Sequence, residues 1–546
     1  MLLFHGSLIA GLFISCLAVN GAQAPQKALG AALSGQALGD PSGEPLRGAH
    51  LVLLPTGDDP SGQTLVIRET HSNQTGGFTF DNVAPGSYRL VAAHPKVIST
   101  DSLGTMRGRP VPLLRLSEGE QLNAKFRFQE KLHIDGRVTL ENGEPAEEAK
   151  VEAILLNRVD GLLLPTLLRE TVADRNGRYD LSDLRPGKYV VRATLRMPTV
   201  MRLAKTTFDP RPISVGFSNG SPGLLESSPI ILTTASQSAD IRLTSSNSLS
   251  IRGTIASSSG ASAQAFLIPA DATQRGLDAF ETSADPQGTF DFENLATGVY
   301  HLVGAVRTED GAIKEFSLDE IHLGSRSIDD RKIRTVMTAT ISVSLRIGQN
   351  SSVGPKPPLR VFLTPTRQEL LAAGATYQGA TNTEGKLMIP HIVPGNYRIS
   401  FEGTEAIADA VEVDGVPLKP GASVGIGAGQ ALVIRTQVST ARSKVSGRVL
   451  RPENSAIGGV VILMPAESDR RSDSANFHTA EMDQNGTFEF AGVPPGKYIV
   501  AATVALGAQQ FMDPSLMTSL AQHGKEIEVG DPAKGAVSID GVRLQP

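Results

Sequence analysis

Tryptophan is absent from this 546-residue chain, cysteine occurs once and tyrosine seven times. The single cysteine, Cys16, falls in an apolar leader, so the rest of the chain has no disulfide and no thiol nucleophile. So few large rings argue against a sugar site of the stacking type. Net charge is only −5, from 51 basic and 56 acidic side chains. No basic stripe with interleaved aromatics occurs, so no nucleic-acid partner is expected. H-x-x-x-H and phosphate-cradling glycine loops are missing too, which removes the common zinc and nucleotide signatures. What the chain does have is glycine (55) and proline (34), with 40% apolar and 20% charged residues. That balance describes a folded, turn-rich, all-β chain. At ~100–150 residues per domain, the length suggests four or five domains.

Residues 1–24 read as a signal peptide. The apolar run Leu8–Val19 has the length of a leader core and is too short to cross a bilayer comfortably. Ala22-Gln-Ala24 supplies the small residues of a cleavage site, although no Lys or Arg precedes the run and Pro25 would follow the cut. An uncleaved anchor and lipidation at Cys16 are the alternatives. Each places the bulk of the protein outside the cytoplasm, with no membrane span after cleavage.

Internal repetition is the strongest signal. Five segments align: GGFTFDNVAPGSY from Gly76, GRYDLSDLRPGKY from Gly177, GTFDFENLATGVY from Gly288, GKLMIPHIVPGNY from Gly385 and GTFEFAGVPPGKY from Gly486. Their closing tyrosines, Tyr88, Tyr189, Tyr300, Tyr397 and Tyr498, are separated by 101, 111, 97 and 101 residues. A period of about 100 residues indicates separate domains, because solenoid units run ~20–50 residues.

Within each copy an Asp/Asn-x-x-Gly turn comes first, at Asn73, Asp174, Asp285, Asn382 and Asp483. Asp or Asn bonds its own backbone two residues on, and Gly accepts positive φ. Alternating apolar residues follow, such as Phe78 and Phe80, then a turn at Gly86, Gly187, Gly298, Gly395 or Gly496, then a second alternating strand opened by the tyrosine. Opening strands precede each hairpin around Gly35, Gly136, Gly253 and Gly447, while the fourth copy has Val343–Ile347 without the glycine. About seven strands per copy predict a tandem array of about five immunoglobulin-like, antiparallel β-sandwich domains. The expected boundaries are 25–130, 131–247, 248–338, 339–441 and 442–546. Helix is expected only at Gln368–Ala373 and Pro514–His523. Met197–Ser228 reads as irregular and Thr244–Asn247 as a short linker.

The pattern GRV…G-x-P…A-x-V, then D-x-x-G-x-F-x-F-x-x-L/V-x-P-G-x-Y, resembles the carboxypeptidase regulatory-like domain. The second copy carries it in Gly136-Arg137-Val138, Gly143-Glu144-Pro145, Ala149-Lys150-Val151 and Asp174 through Tyr189, and the fifth in Asp483 through Tyr498. The third copy has Thr297 where proline is usual, and the fourth has Leu387 and Ile389 where phenylalanines are usual. The overall arrangement looks like large secreted multidomain proteins of acidobacteria. The resemblance implies a transthyretin-like sandwich, related to carbohydrate-binding-like folds, and implies function only loosely.

The candidate residues read as structural: Gly76, Tyr88, Gly177, Tyr189, Gly288, Tyr300, Gly385, Tyr397, Gly486 and Tyr498. Each tyrosine is expected to be a buried ring with its hydroxyl on backbone. The turns offer one carboxylate at most, too few for calcium. His478-Thr479-Ala480-Glu481 spells H-x-x-E, but on a strand, where positions three apart face opposite sides. No catalytic residue, cofactor or metal is therefore expected. The chain reads as a non-enzymatic extracytoplasmic binding or scaffold protein whose partner is a protein or polysaccharide of the cell envelope. Carbohydrate binding through loops, or service as an accessory to an envelope enzyme or transporter, are the alternatives.

Overall fold

The computed structural model describes residues 30–545, apart from 57–65, 99–104, 197–212, 271–279, 348–357, 505–513 and shorter loop segments. The leader lies outside the described residues. Strands dominate, and they are built from the alternation seen in the sequence. In Gly77–Val83, for example, Phe78, Phe80 and Val83 are buried while Thr79, Asp81 and Asn82 are exposed.

The first repeat shows the plan. One sheet has the order Gly77–Val83, Ala31–Asp40, Gln121–Gln129. The facing sheet has the order Arg68–His71, His50–Pro55, Gly86–Ala93, Leu113–Leu116. Leu33, Leu51, Phe80, Tyr88 and Phe126 fill the space between them. The second, third and fourth repeats use the same two-sheet scheme, whereas in the fifth the last strand, Val537–Gln545, pairs with both layers and joins them into one seven-stranded sheet. Each of the five tyrosines belongs to a different core cluster.

In every repeat the opening strand lies parallel beside a closing one. Ala32–Asp40 pairs in parallel with Gln121–Gln129, and Thr340–Ile347 with Ala431–Val438. The remaining three repeats do the same. Alternation reports which face a residue occupies and is blind to strand direction, so this mixed character is invisible in the pattern.

The opening glycines explain themselves here. A Cβ at Gly253 would stand 1.9 Å from the Arg331 carbonyl oxygen and 2.8 Å from the Phe290 ring. At Gly447 it would meet the Ile539 oxygen at 2.4 Å and the Phe488 ring at 2.7 Å. Each glycine sits opposite an aromatic residue in the ladder: Gly35 opposite Phe78, Gly136 opposite Tyr179, Gly253 opposite Phe290 and Gly447 opposite Phe488. In the fourth repeat the glycine and the ring are both gone, and Val343 pairs with Leu387. A ring lying over a glycine occupies the space the missing side chain leaves, and a valine facing a leucine fills the same volume differently.

Second faces are covered as well. Helix Pro514–His523 lays Met517 and Leu520 over Ile499, on the outer side of the fifth repeat's sheet. In the second repeat Phe217 and Leu224 cover Val190. The stretch expected to be irregular thus contributes a strand, Ile213–Phe217, paired with Arg192–Arg196. Thr244–Ser245, expected as linker, instead pairs with Ser214–Val215 as a sheet strand. Short helices form at Gln368–Ala372 and Pro514–His523.

Candidate functional site

The repeated motif has the same geometry five times. The Oδ1 of Asn73 accepts the Thr75 and Gly77 N–H groups at 2.9 and 2.8 Å, and that of Asp483 accepts the Asn485 and Thr487 N–H groups, both at 2.9 Å. Asp174, Asp285 and Asn382 do likewise. The turn glycines Gly76, Gly177, Gly288, Gly385 and Gly486 sit at φ between 74° and 80°. Their carbonyls accept the N–H of the opening strand, as from Val138 to Gly177 at 2.7 Å. A side chain there would be strained by φ and, at Gly177, would strike the Val138 carbonyl at 2.3 Å.

Each tyrosine hydroxyl donates to the carbonyl four residues earlier, across the second turn. The pairs are Tyr88 to Ala84 (2.9 Å), Tyr189 to Arg185 (2.8 Å), Tyr300 to Ala296 (2.8 Å), Tyr397 to Val393 (2.8 Å) and Tyr498 to Pro494 (3.1 Å). Burial pushes the Tyr189 and Tyr498 phenols up to about 12. The polar atoms of the motif are thus engaged by its own backbone.

His478 and Glu481, the H-x-x-E pair, have separate partners. The His478 ring lies edge-on to Tyr498 at 6.4 Å, and burial pushes its imidazole down. Glu481 forms an ion pair with Arg89 of the first repeat, Oε2 to Nη2 at 2.6 Å. Among the described residues no group of three or more His, Cys, Asp or Glu side chains is placed to hold a metal ion.

Glu481 leads to the feature that sequence reasoning missed: repeats distant in the chain touch. The fifth repeat's Asp483-Gln484 turn is buried, whereas Asn73, Asp174, Asp285 and Asn382 are all exposed. Gln484 Oε1 accepts the Arg115 N–H at 2.9 Å, and its Nε2 donates to the Arg115 carbonyl and, at 3.3 Å, to Glu120 Oε1. Ile457, 6% exposed, joins the first repeat's core cluster, and its N–H donates to the Lys125 carbonyl at 3.1 Å. Arg451 and Arg448 brace the turn by donating to the Gln484 and Asn485 carbonyls, beside a cavity of about 520 Å³.

A second long-range junction joins the fourth repeat to the second. Gln368 Oε1 accepts the Leu163 N–H at 3.1 Å and its Nε2 donates to the Leu163 carbonyl at 2.5 Å. At the third–fourth junction, Val303 and Phe316 enter the fourth repeat's cluster. His301 is buried there, and desolvation lowers its affinity for a proton although Glu369 and Glu320 oppose that. Strands apolar on both faces signal a covered outer face but not what covers it: Val460–Pro465, buried throughout, is covered by its own repeat's helix Pro514–His523.

Two packed sheets repeated in series define the class: a tandem β-sandwich repeat protein. Residues 36–103, within the first repeat, match the family described as BOS complex subunit NOMO1-like, second beta sandwich domain. No curated protein matches the chain. Among solved structures, the chain is similar to the Bacillus anthracis TIE protein at 11% identity, with 76% of this chain and 73% of that one covered and a TM-score of 0.16. It is also similar to BcpA, the major pilin subunit of Bacillus cereus, at 11% identity, 56% and 99% coverage and a TM-score of 0.17. For two B repeat units of the collagen binding protein of Staphylococcus aureus the values are 10%, 75% and 99%, and 0.13. Superposition at this level adds nothing to what the sheets themselves show.

Proposed function

We propose that the chain is a non-enzymatic, extracytoplasmic scaffold whose sandwiches present loops to a protein or polysaccharide of the cell envelope. One observation carries this reading. In all five copies the recurring polar side chains bind their own backbone, so the most regular chemistry in the sequence is architectural. What differs between copies is the surface around that frame, where recognition is displayed on a repeat architecture. No helix among the described residues is long and apolar enough to cross a membrane.

The test presents the purified full chain to an envelope-protein extract and to a polysaccharide array. Saturable capture of one envelope component, with no turnover of it, is the expected result. Chemical conversion of the captured component would overturn the reading, and so would failure to retain anything from either source.

A further inference from the structure

The two long-range junctions share one device. Leu113–Leu116 is the edge strand of the first repeat's second sheet, and Leu162–Val172 is the edge strand of the second repeat's larger sheet. Edge strands present unpaired N–H and C=O groups that will pair with any extended backbone. Each of these edges is met by one glutamine amide, which accepts from the N–H and donates to the C=O of a single residue: Gln484 on Arg115, Gln368 on Leu163. A carboxamide carries the same donor and acceptor as a peptide group, so each side chain stands in for one residue of a neighbouring strand.

We propose that Gln484 and Gln368 fold the chain back on itself, so that the fifth repeat lies on the first, the fourth on the second, and the third forms the bend. The occupant of both edges is this same chain. Three further observations point the same way. The Arg89–Glu481 pair is partly buried, with 17% and 30% of the side chains exposed. Ile457 completes the first repeat's core from the fifth. Gln74 holds the same turn position in the first repeat as Gln484 does in the fifth and is exposed, so burial at Gln484 belongs to the junction and not to the turn.

Shape in solution tests this directly. A sandwich of about 100 residues has a radius of gyration of about 13 Å, so five in line would reach about 170 Å and the folded-back chain about 100 Å. Small-angle X-ray scattering and light-scattering mass on the full chain should give a monomer near the shorter value. Gln368→Glu with Gln484→Glu replaces each donor by a carboxylate facing a carbonyl, and should lengthen the particle toward the longer value. Circular dichroism should stay unchanged, and Gln74→Glu should leave the dimension alone. Arg89→Glu should lengthen the particle, and Arg89→Glu with Glu481→Arg should shorten it again. A wild-type particle near 170 Å, a doubled mass (the edges then being occupied by a second copy), or a double glutamate variant with unaltered dimensions would each overturn the proposal.

Discussion

The five motif tyrosine hydroxyls each reach back four residues, so removing one oxygen leaves one turn carbonyl without that donor. Tyr397→Phe should cost the fourth repeat about 1 kcal/mol, and Tyr397→Ala about 3–5 kcal/mol through the cavity it leaves. A five-domain chain does not unfold in two states, so the readout is hydrogen exchange within 339–441.

Acid sensitivity also resides in single residues. Glu315 is fully buried, which by itself would raise its carboxyl, but N–H donors from Ser258 and Ser259 and the hydroxyls of Ser257 and Thr335 prevail and hold it at about 2. Its contribution is complete above the ordinary carboxylate range near 4.5 and disappears as pH falls from there toward about 2. His301 works from the other side of the ledger: its depressed affinity means that stability is whole above 6.5 and declines as pH falls below it. Exchange rates in the third repeat should therefore climb in two windows on acidification. Glu315→Gln should flatten the lower window and His301→Gln the upper.

Strands and turns were largely legible, because alternation and Asx-Gly spacing are local properties. In the fourth repeat two of the departures from the pattern, the absent glycine and Leu387, form one compensated exchange. Glycine under a ring became Val343 beside Leu387. Gly253→Val should destabilise the third repeat by about 1–3 kcal/mol, since the side chain meets both backbone and ring. In the fourth repeat, Val343→Gly and Leu387→Phe should each destabilise singly, while the pair together costs less than their sum by about 1 kcal/mol. A thermodynamic cycle read by hydrogen exchange within 339–441 checks this, and strict additivity would refute it. The parallel pairing of first and last strands could not be read, because faces alternate identically in either direction.

For the whole molecule, the count of sandwiches followed from the tyrosine spacing, whereas their mutual contacts did not. Gln74 and Gln484 are the same residue at the same repeat position, one facing water and the other another repeat, so nothing local distinguishes them. Junctions are written in surfaces far apart in the chain, and a single sequence holds no record of which surfaces meet.

The parallel placement of entry and exit strands has a mechanical corollary. The chain enters each repeat at one end of the ladder and leaves at the other, as Ala32–Asp40 and Gln121–Gln129 show. Tension along the polypeptide drags these strands past each other lengthwise and loads every rung at once, instead of unzipping them one by one. Pulled from its two termini in a force-clamp experiment, the protein should first give a small extension as the glutamine contacts part, then resist in five separate, steep ruptures.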